Sequence, residues 1–208
     1  MRTLVAAALL LAASPLAARA QDAGRPLPAG WHVLPDRPAS AADVRFFVAG
    51  DGLHVTTGPA AVLWNPANAA TGEFRARVTF AQTRAPQHPE AYGLVLGGKN
   101  LDGTPPAGPD YLYFLVRGDG KYMVRHRAAN GDLHDVVNWT EHAAIARQDA
   151  AGKATNALVA EAGAFGVRFL VNGQKVAELP GIPTAGIVGL RVNHNLDVHV
   201  SDFAVERM

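Results

Sequence analysis

The chain has no cysteine in its 208 residues. That excludes disulfide staples, thiolate metal sites and a cysteine nucleophile, so a hydrophobic core must hold the fold together unaided. Charge is scarce and balanced: 18% of residues are charged, with 19 Lys and Arg against 18 Asp and Glu. There is no basic excess to grip nucleic acid and no acidic tail. Serine is almost missing beyond residue 20, where only Ser40 and Ser201 remain. No G-x-S-x-G elbow, phosphate-binding glycine loop, dinucleotide fingerprint or H-E-x-x-H occurs. Nothing repeats at a fixed period, which argues against propellers and solenoids.

Residues 1–20 have the make-up of a signal peptide. Arg2 supplies a positive start, Leu4 to Ala13 is unbroken apolar sequence, and Ala18-Arg19-Ala20 is a small-x-small cleavage pattern. The apolar stretch falls short of the ~20 residues that span a bilayer. Cleavage at Gln21 removes Arg2 and Arg19 and leaves a nearly neutral mature chain with no membrane span. An exported, cysteine-free chain fits the bacterial periplasm or the secreted fraction.

Residues 21–43 form a Pro- and Gly-rich lead-in that ends in a first edge strand. From Val44 to the C-terminus, short runs alternate apolar and polar residues between turn signals such as Asp51-Gly52, Asn130-Gly131 and Asn172-Gly173. Residues 44–208 therefore read as a single all-β domain, a two-sheet antiparallel sandwich. Only Glu141–Ala151 has the pattern of a helix, and a short one.

One hairpin defines its own register. In Tyr111–Arg117 the even positions Leu112, Phe114 and Val116 are apolar, and in Lys121–Arg127 the more apolar even positions are Tyr122 and Val124. Both sets share a face only if Gly118-Asp119-Gly120 is a three-residue loop, a type that wants Gly at its last, left-handed position. A two-residue loop would put Phe114 and Arg125 on one side. In the three-residue register Tyr111, Tyr113 and Arg117 share the opposite face with Arg125 and Arg127. Gly93, Val95 and Gly97 leave a shallow trough beside them, and Arg191 and Asn193 join the same face because Val188, Leu190 and Val192 point inward.

Rings beside planar hydrogen-bonding groups suit a sugar, whose C–H face stacks while its hydroxyls find partners. The expected contacts are Tyr111 and Tyr113 for stacking, and Arg125, Arg127, Arg191 and Asn193 for hydroxyls or an acidic substituent. Trp139 lies in a loop that either closes one rim or packs beneath it. A solvated face with ordinary Tyr–Arg packing accounts for the same pattern.

Glycoside cleavage normally needs two carboxyl groups about 5–5.5 Å or about 6.5–9.5 Å apart. No strand presents such a pair on the trough, so the catalytic candidates are loop groups: His194, Asp102 and Asp110. The histidines lack metal-ligand spacing and no cofactor is expected. Calcium on the oxygens around Asp102 is the one metal arrangement to consider, and Asn100–Gly103 reads equally as a plain turn.

The segments Val167–Val176, Gly186-Ile-Val-Gly-Leu-Arg-Val-Asn193 and Val200-Ser-Asp-Phe-Ala-Val205 resemble the closing strands of concanavalin A-like jelly-roll domains. Exported 3-keto-disaccharide hydrolase-type domains and laminin G-like modules are the most similar branches. The resemblance implies two antiparallel sheets, one concave, with ligands on the concave side or its rim. The Glu-x-Asp-x-x-Glu strand of the β-glucanase branch is missing, so its catalytic residues have no counterpart here. Three functions follow: an exported carbohydrate-binding sandwich with a Tyr/Arg-lined concave face, a hydrolase or lyase acting on a modified sugar such as a 3-keto-glycoside, and a protein-interaction module.

Overall fold

Period-two burial is clearest in the strands Phe74–Gln82, Ala154–Gly163 and Gly166–Val171 of the computed structural model, which describes residues 25–40 and 42–208. The expected leader at 1–20 lies outside the described residues. Seven strands form the first sheet, in the order β1 (His32–Pro35), β4 (Ala61–Ala70), β13 (Gly186–Val192), β6 (Ala91–Lys99), β7 (Asp110–Arg117), β8 (Lys121–Arg127), β9 (Leu133–Glu141). Seven more form the second: β12 (Gln174–Pro180), β11 (Gly166–Val171), β10 (Ala154–Gly163), β5 (Phe74–Gln82), β14 (Asp197–Arg207), β3 (Gly52–Thr57), β2 (Val44–Ala49). Neighbouring strands are antiparallel throughout. This is the two-sheet sandwich expected from the alternation. Among the described residues no helix is long and apolar enough to cross a membrane.

The core lies between the sheets. Leu63, Leu190, Leu94, Phe114 and Val124 make one continuous row across the first sheet. Phe114 stacks on Phe169 of the second sheet with ring centroids 4.5 Å apart. Two tyrosine hydroxyls that enter the core are matched. Tyr92, whose hydroxyl is pushed up to about 12 by burial, accepts a bond from Asn156 Nδ2 at 3.1 Å. The Tyr122 hydroxyl donates to the Val176 carbonyl at 2.8 Å.

The hairpin register is the expected one. Arg117 pairs with Lys121 across a three-residue loop, and Gly120 takes φ +88° while its N–H bonds the Arg117 carbonyl at 3.0 Å. Three expectations need correction. Glu141–Ala151 is not a helix: Glu141 ends β9, and Ala144 and Ile145 plug into the core. Asn156 and Asn172 supply that loop's hydrogen bonds, with Ala146 N–H donating to Asn156 Oδ1 and Asn172 Nδ2 donating to the Ala144 carbonyl, both at 2.8 Å. Trp139 is accordingly a strand residue of β9, not a loop residue. The Asp51-Gly52 signal is displaced by one residue, since Gly50 takes the positive φ and Gly52 already pairs with Ala49.

At the start of β14, an interior strand of the second sheet, Asp197 accepts a bond from Thr83 Oγ1 at 2.6 Å and lies 3.3 Å from His54 Nε2 and 3.5 Å from Arg84. Partial burial raises its pKa, but His54, Thr83 and Arg84 outweigh that and hold the carboxyl at about 2. A carboxyl depressed in the folded state adds stability above its unfolded value near 3.8, and that stability fades as pH falls toward 2.

Two outcomes follow. Gly120→Ala, forced into left-handed backbone, lowers unfolding free energy by about 1–2 kcal/mol in urea titrations. Asp197→Asn costs about 2 kcal/mol at pH 6, and the gap to the parent closes between about pH 4 and pH 2 when denaturation is followed across that range.

Candidate functional site

The two outer faces differ. On the second sheet the outward positions of β5 and β10 are exposed or half-exposed, whereas β6 and β7 are buried on both sides. A second apolar cluster accounts for this: Val62, Trp64, Val95, Tyr111, Tyr113, Leu115 and Met123 share the first sheet's outer face, with Trp139 packed against them.

Strand register orders this face into rows. One runs His32, Trp64, Gly189, Val95, Tyr113, Arg125, Asp135. The next runs Leu34, Val62, Arg191, Gly93, Leu115, Met123. Tyr111 faces Arg127 across β7 and β8. Gly93 sits beside Arg191, and a Cβ there would meet the Phe114 carbonyl oxygen at 1.9 Å, so the strands approach as they do only with glycine in that place.

Arg191 organises the polar part. Its side chain donates from Nη1 to Asp36 Oδ1 at 2.6 Å and from Nη2 to Asp36 Oδ2 at 2.5 Å. Nη1 also reaches the Tyr111 hydroxyl at 3.3 Å, and Nε reaches Asn193 Oδ1 at 3.3 Å. The guanidinium carbon stands 5.5 Å from the Tyr113 ring centroid. Arg191 is only 6% exposed. Burial pulls its pKa down, yet Asp36 and the two tyrosines more than offset that, and the net shift is upward. Burial raises the Tyr111 phenol, with Arg191 working against it.

Two more guanidinium groups repeat the pattern. Arg125 Nε donates to Asp135 Oδ1 on β9. Arg117 donates to both oxygens of Asp119, at 2.9 and 2.6 Å, while its guanidinium covers the Trp139 ring at 4.3 Å. Sequence reasoning brought Tyr111, Tyr113, Arg125, Arg127, Arg191 and Asn193 toward one face, and the structure places them there; Trp139, expected in a loop, joins them from β9. The depth is different from an open trough. Tyr111 and Tyr113 are 2% and 5% exposed, so the rings form a floor while the ion pairs and Asn193 form its polar rim.

The loop candidates do not converge. His194 is exposed, with Nδ1 2.9 Å from Oε2 of the buried Glu90, at the Ala91 end of β6. Asp110 lies at the opposite end, paired with Lys99, and its Oδ1 is 3.1 Å from His126 Nε2. His126, His134 and Asp110 line a cleft of about 350 Å³ away from the outer face. Asp102 Oδ1 accepts the Thr104 N–H at 3.2 Å in a plain turn, and Thr104 holds its carboxyl below the ordinary value. Among the described residues no three His, Asp or Glu gather as a metal site.

Sequence reasoning missed Asp36, Asp135 and Glu90. Asp135 was within reach: reading Leu133–Glu141 as a strand puts it opposite Arg125. Asp36 closes on Arg191 over 155 positions, a contact no local pattern encodes.

No family profile matches the sequence, nor does any curated protein. Solved structures do. The carbohydrate-binding module CBM66 from Bacillus subtilis superposes with TM-score 0.61 at 12% identity, over 85% of this chain and 95% of that one. A putative glycosyl hydrolase from Parabacteroides distasonis gives 0.54 at 12% identity, over 86% and 99%. The family 7 alginate lyase A1-II' gives 0.53 at 12% identity, over 78% and 83%. The fold is thus the concanavalin A-like jelly roll. At such identities the likeness is one of fold, and function must be argued from the site.

Removing Asp36 leaves a buried guanidinium without its counter-ion. Asp36→Ala lowers stability by about 1–3 kcal/mol, with Asp36→Asn losing less, as read from chemical denaturation midpoints.

Proposed function

We propose that the protein is an exported carbohydrate-binding sandwich that holds glycan on the outer face of its first sheet. The reading rests on one observation above others: guanidinium–carboxylate pairs and an amide stand at the rim of a floor of aromatic and aliphatic side chains. Hydroxyls both donate and accept, so a surface offering paired donors and acceptors over apolar ground matches a sugar. Arg125, Arg127 and Asn193 bind hydroxyls at the rim, and Arg191 positions Tyr111 and Asn193 beneath it. Tyr111 and Tyr113, almost wholly buried, support the rim from below instead of stacking on the sugar. Trp139, clamped under Arg117, bounds one side.

The fold neighbours include a carbohydrate-binding module, a lyase and a putative glycosyl hydrolase, which is in keeping with sugar as the ligand class. The expected leader and the absence of cysteine support export to the periplasm or beyond. A catalytic reading has one observation behind it, the exposed His194 imidazole beside the buried Glu90 carboxyl. Hydrolase or lyase activity on a modified sugar would use that pair for proton transfer.

Titration of the purified protein with a glycan panel tests the binding reading. Arg125→Ala is expected to weaken the best ligand by about 10–100-fold, the loss of charge-assisted hydrogen bonds, with the melting transition retained. A full-strength ligand interaction in that variant removes the rim from the binding site.

A further inference from the structure

Three arginines of the proposed sugar face each have a carboxylate of their own. Arg191 is held by both oxygens of Asp36, Arg117 by both oxygens of Asp119, and Arg125 by Asp135. Lys121 stands across from Glu141, whose carboxylate is taken by Arg147, and its charge acts instead on Asp119. Arg127, beside Tyr111, is the one arginine of the face with no carboxylate partner among the described residues.

We infer that this face selects neutral glycans and discriminates against polyuronates and other anionic polymers. The inference rests on the carbohydrate reading above and adds the charge of the ligand to it. A ligand carboxylate needs a guanidinium with free donors and no competing anion nearby. At Arg191 the two terminal nitrogens are already committed to Asp36, and displacing that group would strand it beside the incoming charge. At Arg125 the Asp135 carboxylate stands at the approach, and at Arg117 the Asp119 carboxylate does. Each would repel a uronate brought within a few ångström.

A hydroxyl meets no such conflict. It donates to the spare lone pairs of Asp135 or Asp36 and accepts from the remaining N–H groups of Arg125. An ion pair presents both roles side by side, which suits neighbouring hydroxyls on a ring. Arg127 alone offers a lone positive charge, too little to reverse the balance of the face.

The experiment is calorimetric titration of the protein with neutral malto-, cello-, galacto- and fructo-oligosaccharides and with oligogalacturonate and oligoguluronate of equal length. At least one neutral series binds about tenfold or more tightly than either uronate, and its affinity changes less than about twofold between about 20 and about 500 mM NaCl. In Asp135→Asn, which leaves Arg125 unmatched, the gap between neutral and uronate ligands narrows by about threefold or more. Preferential uronate binding, an affinity that falls steeply with salt, or an unchanged gap in Asp135→Asn overturns the inference while leaving sugar binding intact. A folded protein that binds none of the panel overturns the carbohydrate reading itself, and this inference with it.

Discussion

Along β7 the residues face alternately into the sandwich and away from it, and the loop to β8 decides which residues of β8 join each side. With Gly118, Asp119 and Gly120 all in the loop, Phe114 lies opposite Val124 and Tyr113 opposite Arg125. One residue fewer would set Arg125 beside Phe114, against the Phe169 ring, at the cost of an unpaired charge between two sheets. Gly120 is the conformational hinge of this choice, since its left-handed backbone closes the three-residue form. The two clusters that define the molecule, the core between the sheets and the aromatic floor outside the first, both inherit their membership from that parity.

The outer cluster raises a problem the core does not have, because it contains an arginine almost out of reach of water. A guanidinium at that depth must be paired on most of its donors or it destabilises the fold. Asp36 supplies two contacts, the Tyr111 hydroxyl and Asn193 supply two more, and the Tyr113 ring lends its face. Asp36 follows directly on edge strand β1, so the arrangement also ties the lead-in to the far side of β13. Gly93, the register partner of Arg191, lets β7 approach so closely that a Cβ there would strike the Phe114 carbonyl.

Much of this was legible in the sequence and some was not, for separable reasons. Period-two alternation and loop glycines located most strands, and the Tyr/Arg face followed from hairpin parity alone. β9 escaped because it is an edge strand with a register shift, polar on much of its length, so alternation is blurred where Asn138 and Trp139 pass the bulge. β4 runs on through Pro66, a residue strands tolerate only at edges or irregularities, where its ladder with β13 changes register. The depth of Tyr111 and Tyr113 could not be read at all. Parity says which side a ring is on, and only tertiary packing says how far from water it lies. The acidic partners fall in the same class: charge balance in the composition implies that carboxylates exist, not that Asp36 meets Arg191.

Depth and charge pairing are therefore two aspects of one requirement. An arginine on an open, wet sheet face can remain unpaired and wait for an anionic ligand, since water solvates it in the meantime. An arginine sunk among Tyr, Leu and Val side chains cannot wait, and the fold itself must provide the counter-ion. Once it does, the cation no longer attracts anions at long range, and what remains is a directional array of donors and acceptors. The same packing that stabilises the outer cluster thus decides what the face can recognise, shifting it from charge toward hydroxyl geometry. Arg125, half-buried and tied to an edge strand, marks the boundary of this effect: it is shallow enough to touch a ligand and already matched enough not to demand an anion.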